Sequence, residues 1–347
     1  MAERQPSKLH VAGSNPVSRS TPSERIAEAG LALRRAIDGN VHSSDALAAG
    51  AAEQSTAYRS DGTSVLGDAR AAEAYAAVRM PATFAAAARA MAAGAERLPG
   101  FSPASLLDLG AGPGATAWAA LAVWPTIERV VAVERERTIV DLGRRLAEDR
   151  DWTWRLGDAA ESRLDPVNLV AAGYLLGELE PDARARLVDR AWAATRGALV
   201  LVEPGSRAGF ERILAARDRL ITADARIVAP CPGEVECPVA ASRSAWCHFL
   251  ARLDRSPLHR ATKRAARSWE DEPFSYLVAA RPSVVADPRP RVVLGRPRHR
   301  PGVVELRVCV DGRIETVVRS RRDGPAYRDA RDLEWGDALG STVLDPG

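Results

Sequence analysis

Three acids set around a glycine-rich turn are the residues of this chain best placed for chemistry. Leu106-Leu107-Asp108-Leu109-Gly110-Ala111-Gly112-Pro113-Gly114 runs from an apolar stretch into that turn. Glycines at such places let the backbone approach a ligand and adopt positive φ. The spacing is G-x-G-x-G, not the G-x-G-x-x-G of dinucleotide sites. A phosphate-binding turn aims helix-terminal N–H groups at an anion. Here Asp108 precedes the first glycine, which suits a cationic or neutral ligand. Glu134 closes the next apolar run, where an acid can accept hydrogen bonds from both hydroxyls of a ribose. Asp158, after Leu156-Gly157, is suited to an adenine amino group. The ligand of such a set sits outside the carboxyl ends of parallel strands, where strand order reverses.

This order of acids and glycines resembles class I S-adenosylmethionine-dependent methyltransferases. The resemblance implies S-adenosylmethionine held by Asp108, Gly110, Gly112, Gly114, Glu134 and Asp158. Methyl transfer from a sulfonium needs orientation more than a strong base. Many RNA and DNA N-methyltransferases carry Asn/Asp-Pro-Pro-aromatic after the fourth strand. This chain has Ala171-Ala172-Gly173-Tyr174-Leu175-Leu176-Gly177-Glu178 there, without a proline pair, an asparagine or a cysteine. Tyr174 and Glu178 read equally as substrate contacts and as a strand end and helix cap, so the catalytic residues stay unassigned.

The second constellation is sulfur. Cys231, Cys237, Cys247 and Cys309 are the only cysteines, and three fall within one short stretch. Four in 347 residues exclude a disulfide scaffold and suggest a metal site. Zinc knuckles use C-x2-C, which is absent here. Iron–sulfur clusters are held by four thiolates and tolerate wider spacing. Spacing alone leaves zinc and cluster evenly matched. His248 beside Cys247 reads as a supporting or core histidine rather than a further ligand.

The elements that must position these residues follow from periodicity. Residues 1–22 read as a polar, disordered tail without the apolar segment of a signal peptide. Residues 23–38 have helical spacing, with Thr21 or Ser23 as cap, and a polar stretch follows through Ser64. Residues 69–98 predict two Ala-rich helices split by a turn at Arg79-Met80-Pro81. From residue 104, short apolar runs alternate with helical segments, which predicts a parallel sheet covered on both faces. FSYLVAAR at 274–281 reads as one more strand of it. Residues 205–273 read as a cysteine-bearing insert within a core of 101–285, and 281–302 as a Pro- and Arg-rich connector. VVELRVCV, Asp311-Gly312 and RIETVVRS predict a hairpin in a small β-rich domain over 286–347. The expected fold is thus an α/β, Rossmann-like class I methyltransferase core with a helical region at 23–100 and a β-rich C-terminal domain.

The chain also resembles the methyltransferase-like family associated with the mitochondrial small ribosomal subunit and its bacterial relatives. The resemblance rests on Tyr75 with Arg79-Met80-Pro81-Ala82-Thr83-Phe84, LDLGAGPG, Cys231-Pro232, Cys237-Pro238 and Trp246-Cys247-His248-Phe249. It continues through Glu270-Asp271-Glu272-Pro273-Phe274-Ser275-Tyr276, Cys309 and Trp335-Gly336-Asp337. It implies a 4Fe-4S cluster on the four cysteines and a part in small-subunit assembly through ribosomal RNA. The family's methyl transfer is unsettled, so the resemblance leaves open an rRNA methyltransferase or an assembly factor that needs no turnover. A small-molecule methyltransferase with structural zinc is the alternative.

Charge supports the RNA partner. The chain carries 48 Lys and Arg against 45 Asp and Glu. Residues 241–300 alone hold 13 bases and 5 acids, including Arg289, Arg291, Arg296, Arg298 and Arg300. A local basic surface is the electrostatic footprint of nucleic-acid binding. No 18-residue apolar run suggests a membrane span, and neither membrane nor DNA is an expected partner. The expected location is the cytoplasm of a bacterium or the mitochondrial matrix of a eukaryote.

Overall fold

Strands that are apolar on both sides require helices on both sides, and that requirement arranges most of the chain. The computed structural model describes residues 20–41 and 69–339, apart from 232, 243, 256, 258, 261–265 and 288–290. The expected tail up to residue 19 and the polar stretch from 42 to 68 lie outside the described residues.

The main sheet has β1 (Ser105–Leu109), β2 (Arg129–Glu134), β3 (Trp152–Leu156), β4 (Val167–Gly173) and β5 (Thr195–Pro204) in parallel. β8 (Trp269–Ala280) runs antiparallel between β5 and β6 (Arg226–Ala229). The order is β3-β2-β1-β4-β5-β8-β6, so the strand order reverses between β1 and β4. Leu106, Val130, Leu169 and Val200 face one core, and Leu107, Val131, Val170 and Leu199 face the other. Helices α1 (Pro22–Asn40), α2 (Ala69–Val78), α3 (Met80–Arg97), α4 (Ala115–Val123) and α5 (Arg137–Leu146) supply the first core. Helices α6 (Pro181–Ala194) and α7 (Arg207–Thr222) supply the second. This is the expected α/β class.

The N-terminal region follows its local signals. Thr21 and Glu24 form a capping box at the start of α1. The chain breaks at Arg79, and Pro81 falls in the first turn of α3, where a missing N–H costs nothing.

Residues 205–273 differ from the expected insert. Their first part forms α7 and β6, and β6 belongs to the main sheet. β7 (Phe249–Asp254) pairs with residues 269–274 of β8, making a two-stranded arm beyond the end of β5. β8 thus starts five residues before the expected strand. Glu270, Asp271 and Glu272 masked it, and each pairs with an arginine, Arg255, Arg252 and Arg79 respectively.

A second sheet holds β9 (Arg291–Val293), β10 (Arg298–Arg300), β11 (Val303–Val310), β12 (Arg313–Ser320) and β13 (Ala338–Leu339). The expected Arg-rich connector therefore contains two short strands, both paired to β11. Val304, Leu306 and Val308 pack with Val317, Leu339 and Ala330 of α8 (Pro325–Arg331). The β11–β12 turn has Asp311 at φ 43° and Gly312 at φ 73°, as a two-residue hairpin turn demands. A Cβ on Gly312 would stand 3.3 Å from the Glu236 carbonyl oxygen. Gly312→Ala should cost about 1–2 kcal/mol, read as a lower urea midpoint. An unchanged midpoint would contradict this turn.

Candidate functional site

The strand reversal between β1 and β4 opens a cleft at their carboxyl ends. Gly110, Gly112, Glu134 and Asp158 line it, with Tyr75, Tyr174 and Glu178. Gly110, Gly112 and Gly114 all have positive φ, at 61°, 54° and 101°. Gly110 and Gly114 need their freedom most, because a Cβ there would stand 2.6 Å from Leu175 Cδ1 and 2.7 Å from Trp152 Cζ3, while the Gly112 N–H donates to Glu134 Oε2 at 3.0 Å. Glu134 Oε1 accepts from the Glu136 N–H at 2.9 Å. One carboxylate thus ties the glycine turn to the end of β2. An ionised carboxylate offers about four acceptor positions, so Glu134 retains capacity for a ligand. Asp158 Oδ1 accepts from the Ala160 N–H at 2.7 Å and holds the turn after β3.

Asp108 occupies a different place from the one its sequence position suggests. It is fully buried beneath the turn and is absent from the cleft lining. Its Oδ2 accepts from the Ala117 N–H in the first turn of α4 at 3.0 Å. The N-cap of that helix is Gly114, which has no side chain to offer. Asp108 does the capping from β1 instead, satisfying one of the donors a helix start leaves open. Oδ1 has no hydrogen-bond partner. Burial pushes the Asp108 pKa up to about 8, against the Ala117 hydrogen bond, with Glu134 adding to the rise.

The loop after β4 is braced from below. Glu203, fully buried at the end of β5, accepts from the Leu176 N–H at 2.9 Å and from Arg212 Nε at 2.7 Å. Tyr174 takes a left-handed φ of 61°, and its hydroxyl donates to Glu272 Oε1 at 3.0 Å. Arg79 pairs with the same carboxylate at 3.0 Å. Glu178, at the rim, pairs with Arg135 at 3.3 Å. Partial withdrawal from water raises its pKa to about 7, against the pull of Arg135 and with the push of Glu134. Tyr75 is a cleft residue to which periodicity gave no role. Its position becomes visible only when α2 packs over the turn, where a Cβ on Gly112 would lie 3.9 Å from its hydroxyl.

The four cysteines come together. Cys231 follows β6, Cys237 and Cys247 precede β7, and Cys309 lies on β11 of the second sheet. All four line one apolar pocket of about 40 Å³, with Val239, Phe249, Val292 and Leu294. None is in a disulfide. Burial raises the Cys231 thiol to about 11, the Cys309 thiol to about 12 and the Cys247 thiol well above its usual range. The neighbouring sulfurs add to each rise, and Arg217 opposes it at Cys231 and Cys309. These three thiols therefore keep their protons near neutral pH. Among the described residues, no three His, Cys, Asp or Glu are grouped so as to hold a metal ion. Arg217 is buried and donates to the Gly233 carbonyl at 2.9 Å, anchoring the loop between Cys231 and Cys237. Ser275 Oγ donates to the Cys247 carbonyl at 2.8 Å. His248 packs between Trp246 and Trp335, with ring centroids at 5.4 and 4.7 Å.

Residues 69–340 match the family described as mitochondrial small ribosomal subunit Rsm22. This chain belongs to the Rsm22 family. The stretch matched contains both the cleft and all four cysteines. The human ribosome assembly protein METTL17, mitochondrial, is 31% identical over 302 residues, covering 78% of this chain and 62% of that protein. The Rsm22-cox11 tandem protein 2, mitochondrial, of Schizosaccharomyces pombe is 28% identical over 289 residues. That match covers 67% of this chain and 38% of the tandem protein. The chain thus spans less than two thirds of either relative. Among solved structures, magnesium protoporphyrin IX methyltransferase of Synechocystis with bound S-adenosylhomocysteine overlaps at a TM-score of 0.39. It is 10% identical, over 66% of this chain and 94% of its own. Among the described residues of this Rsm22 chain, no helix is long and apolar enough to cross a membrane.

The buried acid under the turn gives a test. An acid whose pKa is higher folded than unfolded keeps its proton in the native state while the unfolded chain loses it. Between about pH 4, the unfolded value, and about 8, stability falls as pH rises. Asp108→Asn keeps an acceptor for the Ala117 N–H and removes the titration. Urea midpoints measured across this range should fall less for the variant than for the parent. Parallel declines would contradict a protonated Asp108.

Proposed function

We propose that this chain is an assembly factor of the small ribosomal subunit. In this reading it binds S-adenosylmethionine in the cleft and carries a 4Fe-4S cluster, with ribosomal RNA as its partner. The observation that supports it best is the convergence of Cys231, Cys237, Cys247 and Cys309 on one apolar pocket, within the stretch matched by the Rsm22 family. Clusters are held by four thiolates and bridge gaps between them. When bound, the cluster supplies the positive charge that lets buried thiols ionise. Cys309 would then tie the second sheet to the segment that carries the other three.

In the cleft, Glu134 would meet the ribose hydroxyls and Asp158 the adenine amino group. Gly110, Gly112 and Gly114 would let the backbone pass close to the ligand, with Asp108 fixing the turn from beneath. Glu134 and Asp158 give the cleft acidic groups suited to a sulfonium, while Glu178 is paired with Arg135. The loop after β4 favours binding over turnover, because the Tyr174 hydroxyl is already committed to Glu272. The human relative's name favours assembly in a mitochondrion for a eukaryotic chain, the fission-yeast name a mitochondrion alone, and the bacterial equivalent is cytoplasmic.

Two measurements test the reading. Glu134→Ala with Asp158→Ala should weaken S-adenosylmethionine binding at least about tenfold, or about 1.4 kcal/mol, by calorimetry. Unchanged affinity would place the cofactor elsewhere or exclude it. In a deletion strain, Cys309→Ser should fail to restore mature small subunits. Full restoration by that variant would sink the cluster-dependent assembly role.

A further inference from the structure

β8 presents opposite faces to two different surroundings. On one face Glu272 holds Arg79 and the Tyr174 hydroxyl, at the cleft. On the other, Asp271 holds Arg252 at 2.8 Å and Arg296 at 3.4 Å. Alternation along a strand enforces this division. Arg252 is on β7, and Arg296 leads into β10 of the second sheet. Asp271 therefore joins the arm to the second sheet at a basic seam. Arg298 and Arg300 extend it along β10 and are exposed. Their register against Glu305 and Val303 puts both on the same sheet face as Arg307.

One carboxylate cannot neutralise two guanidiniums. Glu334 adds to the negative field at Arg252 without pairing to it, and Glu305 pairs with Arg298 at 3.3 Å. Arg252 gives its Nε–Nη2 edge to Asp271, whereas Arg296 and Arg298 each pair through one nitrogen and remain 72% and 73% exposed. Arginine forks match phosphate oxygens in pairs. Bases would need aromatic faces to stack on. The aromatic ring beside Arg252, Trp269, is covered by that guanidinium at 4.2 Å.

We infer that this seam is where the chain grips RNA, through the phosphate backbone of a folded, duplex segment, on the face of the arm turned away from the cleft. The inference rests on the reading above that the partner is ribosomal RNA. It adds that RNA binding and cofactor binding are physically separate, so the chain can hold RNA without presenting a nucleotide to the cleft.

The test uses the full chain with an RNA hairpin of about 16 base pairs, the span typical of duplex readers, and an unstructured RNA of equal length. The parent should bind the hairpin at least as tightly as the unstructured strand. Arg296→Gln with Arg298→Gln and Arg300→Gln should weaken hairpin binding tenfold or more. The dependence of log K on log salt should become shallower by about 0.9 for each phosphate that the variant no longer neutralises. S-adenosylmethionine binding should be unchanged, which also shows that the variant folds. A variant that binds the hairpin as the parent does, while Arg135→Gln at the cleft rim weakens it, would overturn the seam. A clear preference for the unstructured strand would overturn backbone recognition. A parent that binds neither RNA would overturn the RNA partner itself.

Discussion

Four cysteines drawn from two sheets onto one apolar pocket are the constraint on which the rest of this structure depends. Cys231, Cys237, Cys247 and Cys309 come from a strand exit, a loop, a strand entry and the far end of a strand in another sheet. They face one apolar pocket, where each ionised sulfur would be costly. The residues around the pocket hold the backbone that carries these cysteines. Arg217 anchors the loop, Ser275 holds the Cys247 carbonyl, and the Asp311-Gly312 turn lies against Val235 and Glu236. The second sheet thus becomes part of the site rather than an appendage.

The cleft follows the same economy with carboxylates. Asp108 caps α4 from beneath the glycine turn, Glu134 ties that turn to β2, and Glu203 holds the loop after β4. Each acid fixes backbone at or beneath the cleft, and two, Asp108 and Glu203, are entirely buried. β8 connects the two regions. Glu272 reaches Tyr174 in the cleft, and three residues on Ser275 reaches Cys247. At about 3.3 Å per residue, Glu272 and Ser275 stand about 10 Å apart along that strand.

The parts of this design that were legible in sequence are those with one dominant local cause. Buried parallel strands show as apolar runs, the helix break shows at Pro81, and the hairpin shows at Asp311-Gly312. The glycine turn with Glu134 and Asp158 was legible as a set because each follows a strand. The role of Asp108 was not, since a capping acid and a ligand-facing acid share one position in the chain. Strand β10 is Arg-His-Arg, and the start of β8 is Trp-Glu-Asp-Glu. Both look like solvated loop until cross-strand ion pairs are known. Tyr75 reaches the cleft only through packing of α2, which no local pattern encodes.

The account turns on what the four thiols hold. The most direct measurement is the iron, acid-labile sulfide and zinc content of the chain purified without oxygen, alongside its Cys309→Ser variant. The account predicts about four iron and four sulfide per chain, with both lost from the variant. Stoichiometric zinc without iron, or a metal-free chain that is fully folded and active in assembly, would contradict it.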